Sequence, residues 1–491
     1  MYKRVLVFTF IILLGFYKIF ARIEPPVIYN DARVMGMGGA FTAVADDKNM
    51  LFYNPAGFAD YGLKKTSILD AIMDPTLWKP RYTNIGDLTF FSMTFGINET
   101  LFNKYGFSIW GGIDKSAPLY QLIDMNFFEK FSDGTLTQAE AQQASDLLNQ
   151  MYYSTLHPRF NTELLSYARH YFGFGMFIAS DMVFSIEPGG FYPNIIGQYH
   201  SDFINAIGFG LHIPGYKRWS IGATLKYFTR MKFEINNVND MATLYHYFTG
   251  EYIDTDKLSE SLKVQSLLDT FLGGVDYTTT GIEQMKIGTG IGFDLGFMYR
   301  YSYAWRFGLQ ISDVYTRIRW WDNTEPSAIP INARAGVAYK PGMSLWGFFE
   351  DPIVALDVED IFHQQKKNFF LKWHFGTEVK ILFRIVKLRF GINEGYPSFG
   401  LGLDFSFYFL SKIPIIGWLR PDSVYFPKFN PNDREFLPKN PCCCLMSAVL
   451  APILYAHIKI DISRTGYELG PRPGDLEDNQ WLFRIALSYS Y

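Results

Sequence analysis

Cysteine is nearly absent from this chain of 491 residues, and the few cysteines present are badly placed for crosslinking. All three are consecutive, at Cys442, Cys443 and Cys444. Neighbouring cysteines rarely reach disulfide geometry without strain, and a zinc site would need further ligands at regular spacing. We therefore expect neither a disulfide framework nor a metal site, and we interpret the three residues as small apolar side chains.

Signatures of catalysis and of cofactor binding are also missing. The eight histidines are scattered without a His-Glu-x-x-His pair, and the sequence has no Gly-x-Ser-x-Gly elbow. Gly288, Gly290 and Gly292 superficially resemble a phosphate-binding loop, but no helix follows them. Asp46 and Asp47 could act as a general acid and base, although acidic residues at such positions more often stabilise turns. We expect no enzyme and no cofactor.

Strong charge of one sign is absent, and so is a long apolar run at the N-terminus. The formal net charge of -3 gives no reason to expect nucleic-acid binding. Lys3 and Arg4 precede an apolar run over residues 5–17, which is shorter than the roughly 20 residues of a membrane-spanning helix. We predict that residues 1–21 are a secretory signal. Because residues 20–22 are a poor cleavage site, an uncleaved anchor is the alternative.

Aromatic residues are abundant, and they recur at every second position. Phe, Tyr and Trp make up 18% of the chain, and the mean hydropathy is -0.01. Strict alternation runs through residues 287–301, 369–381, 399–409 and 481–491. Such segments match the roughly 9–11 residues of a tilted membrane strand, whereas a soluble sandwich would bury its aromatic face against a second sheet. We predict an all-β antiparallel membrane barrel, with odd-numbered residues of the first and last windows facing lipid.

The alternation predicts about fourteen strands. They are centred near Leu88, Phe107, Phe174, Phe203, Ile221, Ile291, Phe307, Ala335, Val354, Trp373, Phe390, Leu403, Ile458 and Phe483. A barrel of sixteen strands is the alternative, with additional strands at residues 65–73 and near Leu164. Both numbers are even, as in bacterial single-chain barrels.

Three insertions interrupt the predicted strands. Residues 115–170 and 236–286 show helical spacing, the first behind a capping box at residues 137–140, and residues 412–455 are irregular. Counting back from a periplasmic C-terminus places 236–286 outside the cell and 412–455 in the periplasm. Residues 115–170 would face the periplasm with fourteen strands and the exterior with sixteen. The helices either cap the barrel mouth or form an apolar entry groove.

Residues 31–59 concentrate glycines and turn formers more densely than a strand or a long helix would tolerate. The set comprises Gly36, Gly38, Gly39, Asp46, Asp47, Asn54, Pro55, Ala56 and Gly57. Glycine permits positive φ and close approach of two backbones, and proline fixes φ. We expect a compact, irregular plug; a turn cluster of an ordinary β-protein is the alternative.

The Asn-Pro-Ala-Gly run at residues 54–57 follows a Gly-rich, Ala-Asp-Asp-containing stretch. This segment resembles the N-terminal hatch of FadL-type outer-membrane fatty-acid transporters, and even more that of related barrels of the PorV and UPF0164 type. Residues 388–405 and 467–475 are similar to the last strands of the PorV-like branch. The resemblance implies that residues 22–63 form a hatch in the lumen of a barrel made by residues 64–491, located in the cell outer membrane.

The resemblance also implies a function. It implies passive transport of hydrophobic small molecules such as fatty acids, gated by the hatch. The alternative is a PorV-like scaffold or shuttle for secreted or surface envelope proteins. The implied partners are outer-membrane lipid, a hydrophobic small-molecule ligand and the barrel assembly machinery, which would recognise the aromatic C-terminal strand. The sequence identifies neither the ligand nor the residues that contact it.

Overall fold

A computed structural model describes most of the predicted strands and the N-terminal segment. The described residues are 22–24, 26, 29–62, 86–100, 115–126, 130, 135, 137–151, 155–187, 194–235, 285–302, 304–322, 324–342, 344–345, 348–364, 367–382, 384–406, 456–468 and 477–490. The predicted signal, nearly all of insertion 236–286, the irregular insertion 412–455 and the three cysteines lie outside them.

These residues form one sheet of eighteen strands, fourteen of which span eight residues or more. The long strands are β2 (Gly86–Asn98), β4 (Arg159–Arg169), β5 (Phe172–Glu187), β6 (Asn194–Ile213), β7 (Tyr216–Ile235), β8 (Lys286–Arg300), β9 (Trp305–Trp320), β11 (Asn332–Tyr339), β13 (Phe349–Val358), β14 (Trp373–Ile381), β15 (Val386–Asn393), β16 (Tyr396–Ser406), β17 (Ala456–Glu468) and β18 (Glu477–Ser490). The two-residue strands are β1 (Arg22–Ile23), β3 (Thr155–Leu156), β10 (Ser327–Ala328) and β12 (Ser344–Leu345).

The sheet closes on itself as an antiparallel barrel. Each long strand pairs with the long strands before and after it in the chain, and β18 pairs with β2 to close the ring, with Trp481 opposite Ile97. Closure leaves no unpaired strand edge, which a lipid environment requires. The predicted fold class and the predicted number of fourteen strands are confirmed among the residues that the structure describes.

The position of one predicted strand was wrong. The second strand of the barrel is β4, which contains Leu164, rather than a strand near Phe107, a residue outside the described parts. β2 pairs with β18 on one side and β4 on the other, so both of its edges are occupied. The alternation in β4 is hard to recognise because a bulge between Glu163 and Leu165 shifts its register, and a bulge places two residues opposite one.

Because the second strand follows residues 115–151 rather than preceding them, this stretch lies at a different end of the barrel from the one expected. We call the end of the barrel at Ser490 the C-terminal end and the other the opposite end. Asn98 of β2 faces Gln480 near the start of β18, so the connection from β2 to β4 lies at the opposite end. The link between β7 and β8 leaves from the same end, and the link from β16 to β17 leaves from the C-terminal end. The connection from β2 to β4 therefore shares an end with the link between β7 and β8, and not with the link between β16 and β17, with which the count of fourteen strands had grouped residues 115–170.

The two faces of the barrel wall differ in polarity. In β8, Ile291 and Phe297 are exposed on the outside, while Gly292 and Asp294 are buried inside. The odd-numbered residues of β18 likewise point outward, and Arg484 points inward. An apolar exterior around a polar lumen is the arrangement of an outer-membrane barrel. No helix among the described residues is long and apolar enough to cross a membrane.

Two helices, Pro118–Asp124 and Gln138–Met151, lie in the connection between β2 and β4 and pack on each other. The predicted capping box is confirmed: the Thr137 amide donates to Glu140 Oε2 at 2.9 Å, and the Glu140 amide donates to Thr137 Oγ1 at 3.3 Å. Ala144 and Leu147 form the buried face of the longer helix. A 3₁₀ helix, Phe369–Lys372, precedes β14.

Candidate functional site

The N-terminal segment, defined here as residues 29–61, lies inside the barrel. It contains a short helix Ala32–Gly36, a helical turn Met50–Tyr53 and a 3₁₀ helix Pro55–Asp60. The first helix packs on β15 to β18, whereas the 3₁₀ helix packs on β6, β7 and β8. The segment therefore reaches both sides of the lumen, and nearly all of its side chains are buried.

On the β6 to β9 side, the segment touches the wall through a tight turn at Asn54. The Asn54 side-chain nitrogen donates to the carbonyl oxygens of Thr42 (2.9 Å) and of Phe297 in β8 (3.1 Å). Its side-chain oxygen accepts from the Ala56 amide at 3.1 Å. The buried Asn54 amide thus links Thr42 and Ala56 of the segment to β8 of the wall. Each of its polar groups has a partner, as buried polar groups require.

This side of the wall is lined by glycines that leave room for the turn. A Cβ built at Gly210 would lie 2.6 Å from the Pro55 oxygen, and one at Gly308 would lie 2.5 Å from the Thr42 oxygen. At Gly222 it would overlap the Ala56 nitrogen. Contacts this short involve backbone atoms that no rotamer change can move. The wall glycines are therefore required for the segment to dock.

Gly38 and Gly39 approach the other side of the lumen. Both adopt positive φ, 62° and 77°, a region that glycine enters without steric penalty. A Cβ on Gly391 of β15 would lie 2.5 Å from the Gly38 nitrogen. His374 Nδ1 lies 3.1 Å from the Gly38 oxygen. Backbone touches backbone here, which explains the need for glycine on both partners.

Arg33 is the centre of a charge cluster on this side. Its guanidinium donates to Asp46 at 2.8 Å, to Asp47 at 2.7 Å and to Glu378 of β14 at 2.7 and 2.9 Å. Burial alone would lower the pKa of Arg33, but the carboxylates of Asp46, Glu378 and Asp47 hold it well above its usual value. Glu378 also accepts from Arg389 at 2.8 Å. The segment is thus tied to the wall by buried, bidentate ion pairs.

Two further wall residues bind the segment from β13 and from the end of β11. The carboxylate of Asp357 accepts from the amides of Phe41 (2.8 Å) and Thr42 (2.7 Å). Lys340 donates to Asp46 at 2.6 Å. Asp46 therefore bridges an arginine of the segment and a lysine of the wall.

The segment separates two cavities. The cavity at the opposite end has a volume of about 370 Å³, and Tyr29, Phe52 and Tyr53 of the segment line it. The cavity at the C-terminal end has a volume of about 300 Å³, and Asp46 and Asp60 of the segment line it. The segment thus forms one wall of each cavity and partitions the lumen between them.

The residues singled out in the sequence all lie in this partition. Gly36, Gly38 and Gly39 contact β14 to β16, the two aspartates contact Arg33, and the turn at residues 54–57 contacts β6 to β8. Sequence reasoning did not identify the wall partners Glu378 and Lys340. The alternation places Glu378 on the inner face, but it is 345 positions from Arg33 in the sequence, so there is no local signal of their pairing.

Comparisons with known proteins were made at three levels. A scan against protein-family models finds no match, and a search of curated proteins finds none. Among solved structures, the chain is similar to the deltaS2S3 mutant of TodX, a monoaromatic hydrocarbon channel, with 11% identity, 94% of this chain and 98% of that chain covered, and a TM-score of 0.40. It is also similar to the Ralstonia pickettii toluene transporter TbuX, with 10% identity and a TM-score of 0.39, and to a Pseudomonas aeruginosa FadL homologue, with 10% identity and a TM-score of 0.38. In both cases 96% of this chain and 99% of the other chain are covered. The strand pairing described above, rather than these likenesses, establishes the fold.

Proposed function

We propose that this protein is an outer-membrane channel for passive transport of hydrophobic small molecules such as fatty acids, and that residues 29–61 gate it. The observation that carries the proposal is the partition: one buried segment separates a cavity at each end of the lumen. A barrel of fourteen strands encloses more space than its own inward side chains fill. Movement of this segment would join the two cavities.

The lining of the cavity at the opposite end supports an amphipathic ligand. Phe52 and Tyr467 provide aromatic surface, while Arg334 and Lys367, which pair with Glu359 and Glu394 of the same lining, provide polar groups. Ligand sites combine apolar surface with a few polar groups that fix orientation. A molecule with an apolar body and a polar head matches this combination better than a pure hydrocarbon does.

The test is Asn54→Ala in the full-length protein. The substitution removes three hydrogen bonds that hold the turn, one of them to the wall, and each contributes roughly 0.5–1.5 kcal/mol. We expect a folded, heat-modifiable barrel with higher conductance in planar bilayers and faster uptake of a hydrophobic dye into liposomes. Asn149→Ala, on an exposed helix position, is the matched control. A correctly folded Asn54→Ala barrel that conducts and takes up dye as the wild type does would refute gating.

A scaffold for envelope proteins is the second candidate, and one observation favours it. The connection between β13 and β14, at the opposite end, exposes Phe362 (50%), Phe369 (62%) and Phe370 (71%). Exposed aromatic residues in a group are typical of interaction sites. A scaffold predicts that liposomes containing the wild-type barrel take up the dye no faster than empty liposomes, whereas a channel predicts measurable uptake.

A further inference from the structure

Arg306 is a buried cation without an anion. It lies on the inner face of β9, is only 8% exposed and lines the cavity at the C-terminal end. Among the described residues, none forms a hydrogen bond or an ion pair with it, and its Nε is buried without a partner. A buried charge is strongly unfavourable unless it is paired. The site is therefore short of one negative charge.

Two cations neighbour Arg306. Arg300 of β8 is directly opposite it and pairs with Asp60 of the segment at 2.8 Å, and Lys340 lies on the other side, at the end of β11. Arg306 is directly opposite Ala338 in the β9–β11 pair, so Lys340 is its diagonal neighbour, and the Cβ atoms of such positions lie roughly 7–8 Å apart. Burial is the main cause that lowers the pKa of Lys340 to about 8, and the charge of Arg306 contributes to the lowering. Arg306 and Lys340 thus face the same cavity at a separation that an oxyanion can bridge.

We propose that Arg306 and Lys340 form a binding site for a singly charged carboxylate. The charge of the ligand follows from the local balance. Arg300 pairs with Asp60 at 2.8 Å, and Lys340 pairs at 2.6 Å with Asp46, which Arg33 shares at 2.8 Å. Of the three cations Arg300, Arg306 and Lys340, only Arg306 has no carboxylate partner among the described residues, so one negative charge matches it, whereas a phosphate dianion would bring a second charge towards Asp46. The guanidinium offers the planar pair of donors that a carboxylate accepts.

Two other cations of the cavity have carboxylate partners of their own. Lys380 pairs with Asp351 at 3.4 Å, and Lys387, on the next strand, pairs with Asp404 at 2.7 Å. Pro352 and Ile353 add apolar surface to the lining. The cavity can therefore accept a short alkyl chain behind the carboxylate.

Occupancy of this site would also act on the partition. A carboxylate on Lys340 competes with Asp46, and Asp46 in turn binds Arg33 at 2.8 Å. The ligand thus weakens one link between the wall and residues 29–61. Binding itself is an equilibrium property of the purified barrel, so the proposal stands or falls independently of transport.

The experiment is calorimetric titration of the purified full-length barrel, in an uncharged detergent, with acetate, octanoate, octanol and inorganic phosphate. We expect both carboxylates to bind more tightly than phosphate, and octanol, which has no charge, not to compete with acetate. Stronger binding of octanoate than acetate would identify the head of an amphiphile as the ligand; equal binding would identify a small free carboxylate.

Three variants locate the site. Arg306→Gln should weaken carboxylate binding by about tenfold or more, because a charge-assisted hydrogen bond is lost. Arg317→Gln, the same change at an exposed position of β9, should leave it unchanged. Asp46→Asn should strengthen binding, because the competing carboxylate is removed from Lys340. Wild-type affinity in a folded Arg306→Gln barrel, weaker binding in Asp46→Asn, or preference for phosphate would overturn the proposal.

Discussion

The two sides of the lumen hold residues 29–61 by different physical means. On the β6 to β9 side, the contact consists of wall glycines such as Gly222 that admit the backbone at residues 54–57. On the β14 to β17 side, the contact is a chain of buried charges from Arg33 through Glu378 and Arg389 to Asp461. The first is a steric fit, and the second is an electrostatic network.

The difference shows which side can exchange partners. A glycine contact has no substitute once a side chain fills it, whereas a carboxylate or a cation from a ligand can replace one member of an ion pair. We therefore expect a ligand to act on the charged side, while the glycine side fixes where the segment docks. The predictions below test each side, from the largest expected effect to the smallest.

Glu378→Gln should have the largest effect. Glu378 is 1% exposed and accepts from both Arg33 and Arg389, and removing one partner of a buried ion pair costs about 3–5 kcal/mol. We expect hydrogen exchange of residues 31–47 to accelerate and the unfolding temperature to fall. Glu325→Gln, at an exposed position, is the control. Unchanged exchange in Glu378→Gln would mean that the charge network does not hold the segment.

Gly222→Val should come next. The added side chain overlaps the Ala56 nitrogen, and overpacking of this kind costs about 1–3 kcal/mol. We expect the turn at residues 54–57 to leave the wall, with higher conductance, while the charged side stays docked. Hydrogen exchange should accelerate at residues 54–60 more than at residues 31–36. Ala223→Val, the next residue on the outer face, should change neither; equal exchange at the two sites in Gly222→Val would contradict the division of roles.

The sequence was sufficient to predict the architecture because strand alternation is local. Period-two patterns identified thirteen of the fourteen long strands, including windows such as 287–301. The period-two pattern failed to identify β4, because the bulge near Glu163 interrupts the period. Because the second strand follows residues 115–151 instead of preceding them, that single error assigned this stretch to the wrong end of the barrel.

The candidate site was predictable only in part. Asn54 and the glycines stand out because their backbone chemistry is unusual wherever they occur. The pairing of Arg33 with Glu378, and the lack of an anion at Arg306, arise from strands far apart in the sequence. Alternation predicts that these charges face inward, but the strand pairing of the closed barrel determines which of them lie within ion-pair distance.

The smallest effect is expected for Asp60→Asn, which tests whether charge contributes to docking on the glycine side. Asp60 accepts from Arg300 at 2.8 Å near the C-terminal end of the barrel, where Arg300 also donates to the Lys217 oxygen at 3.1 Å. An asparagine oxygen can still accept from the guanidinium, and Arg300 keeps its hydrogen bond to Lys217, so about one net hydrogen bond is lost, roughly 0.5–1.5 kcal/mol. We expect a small fall in unfolding temperature and wild-type conductance. A conductance as high as that of Gly222→Val would show that charge also controls docking on this side, and the contrast between the two sides would no longer hold.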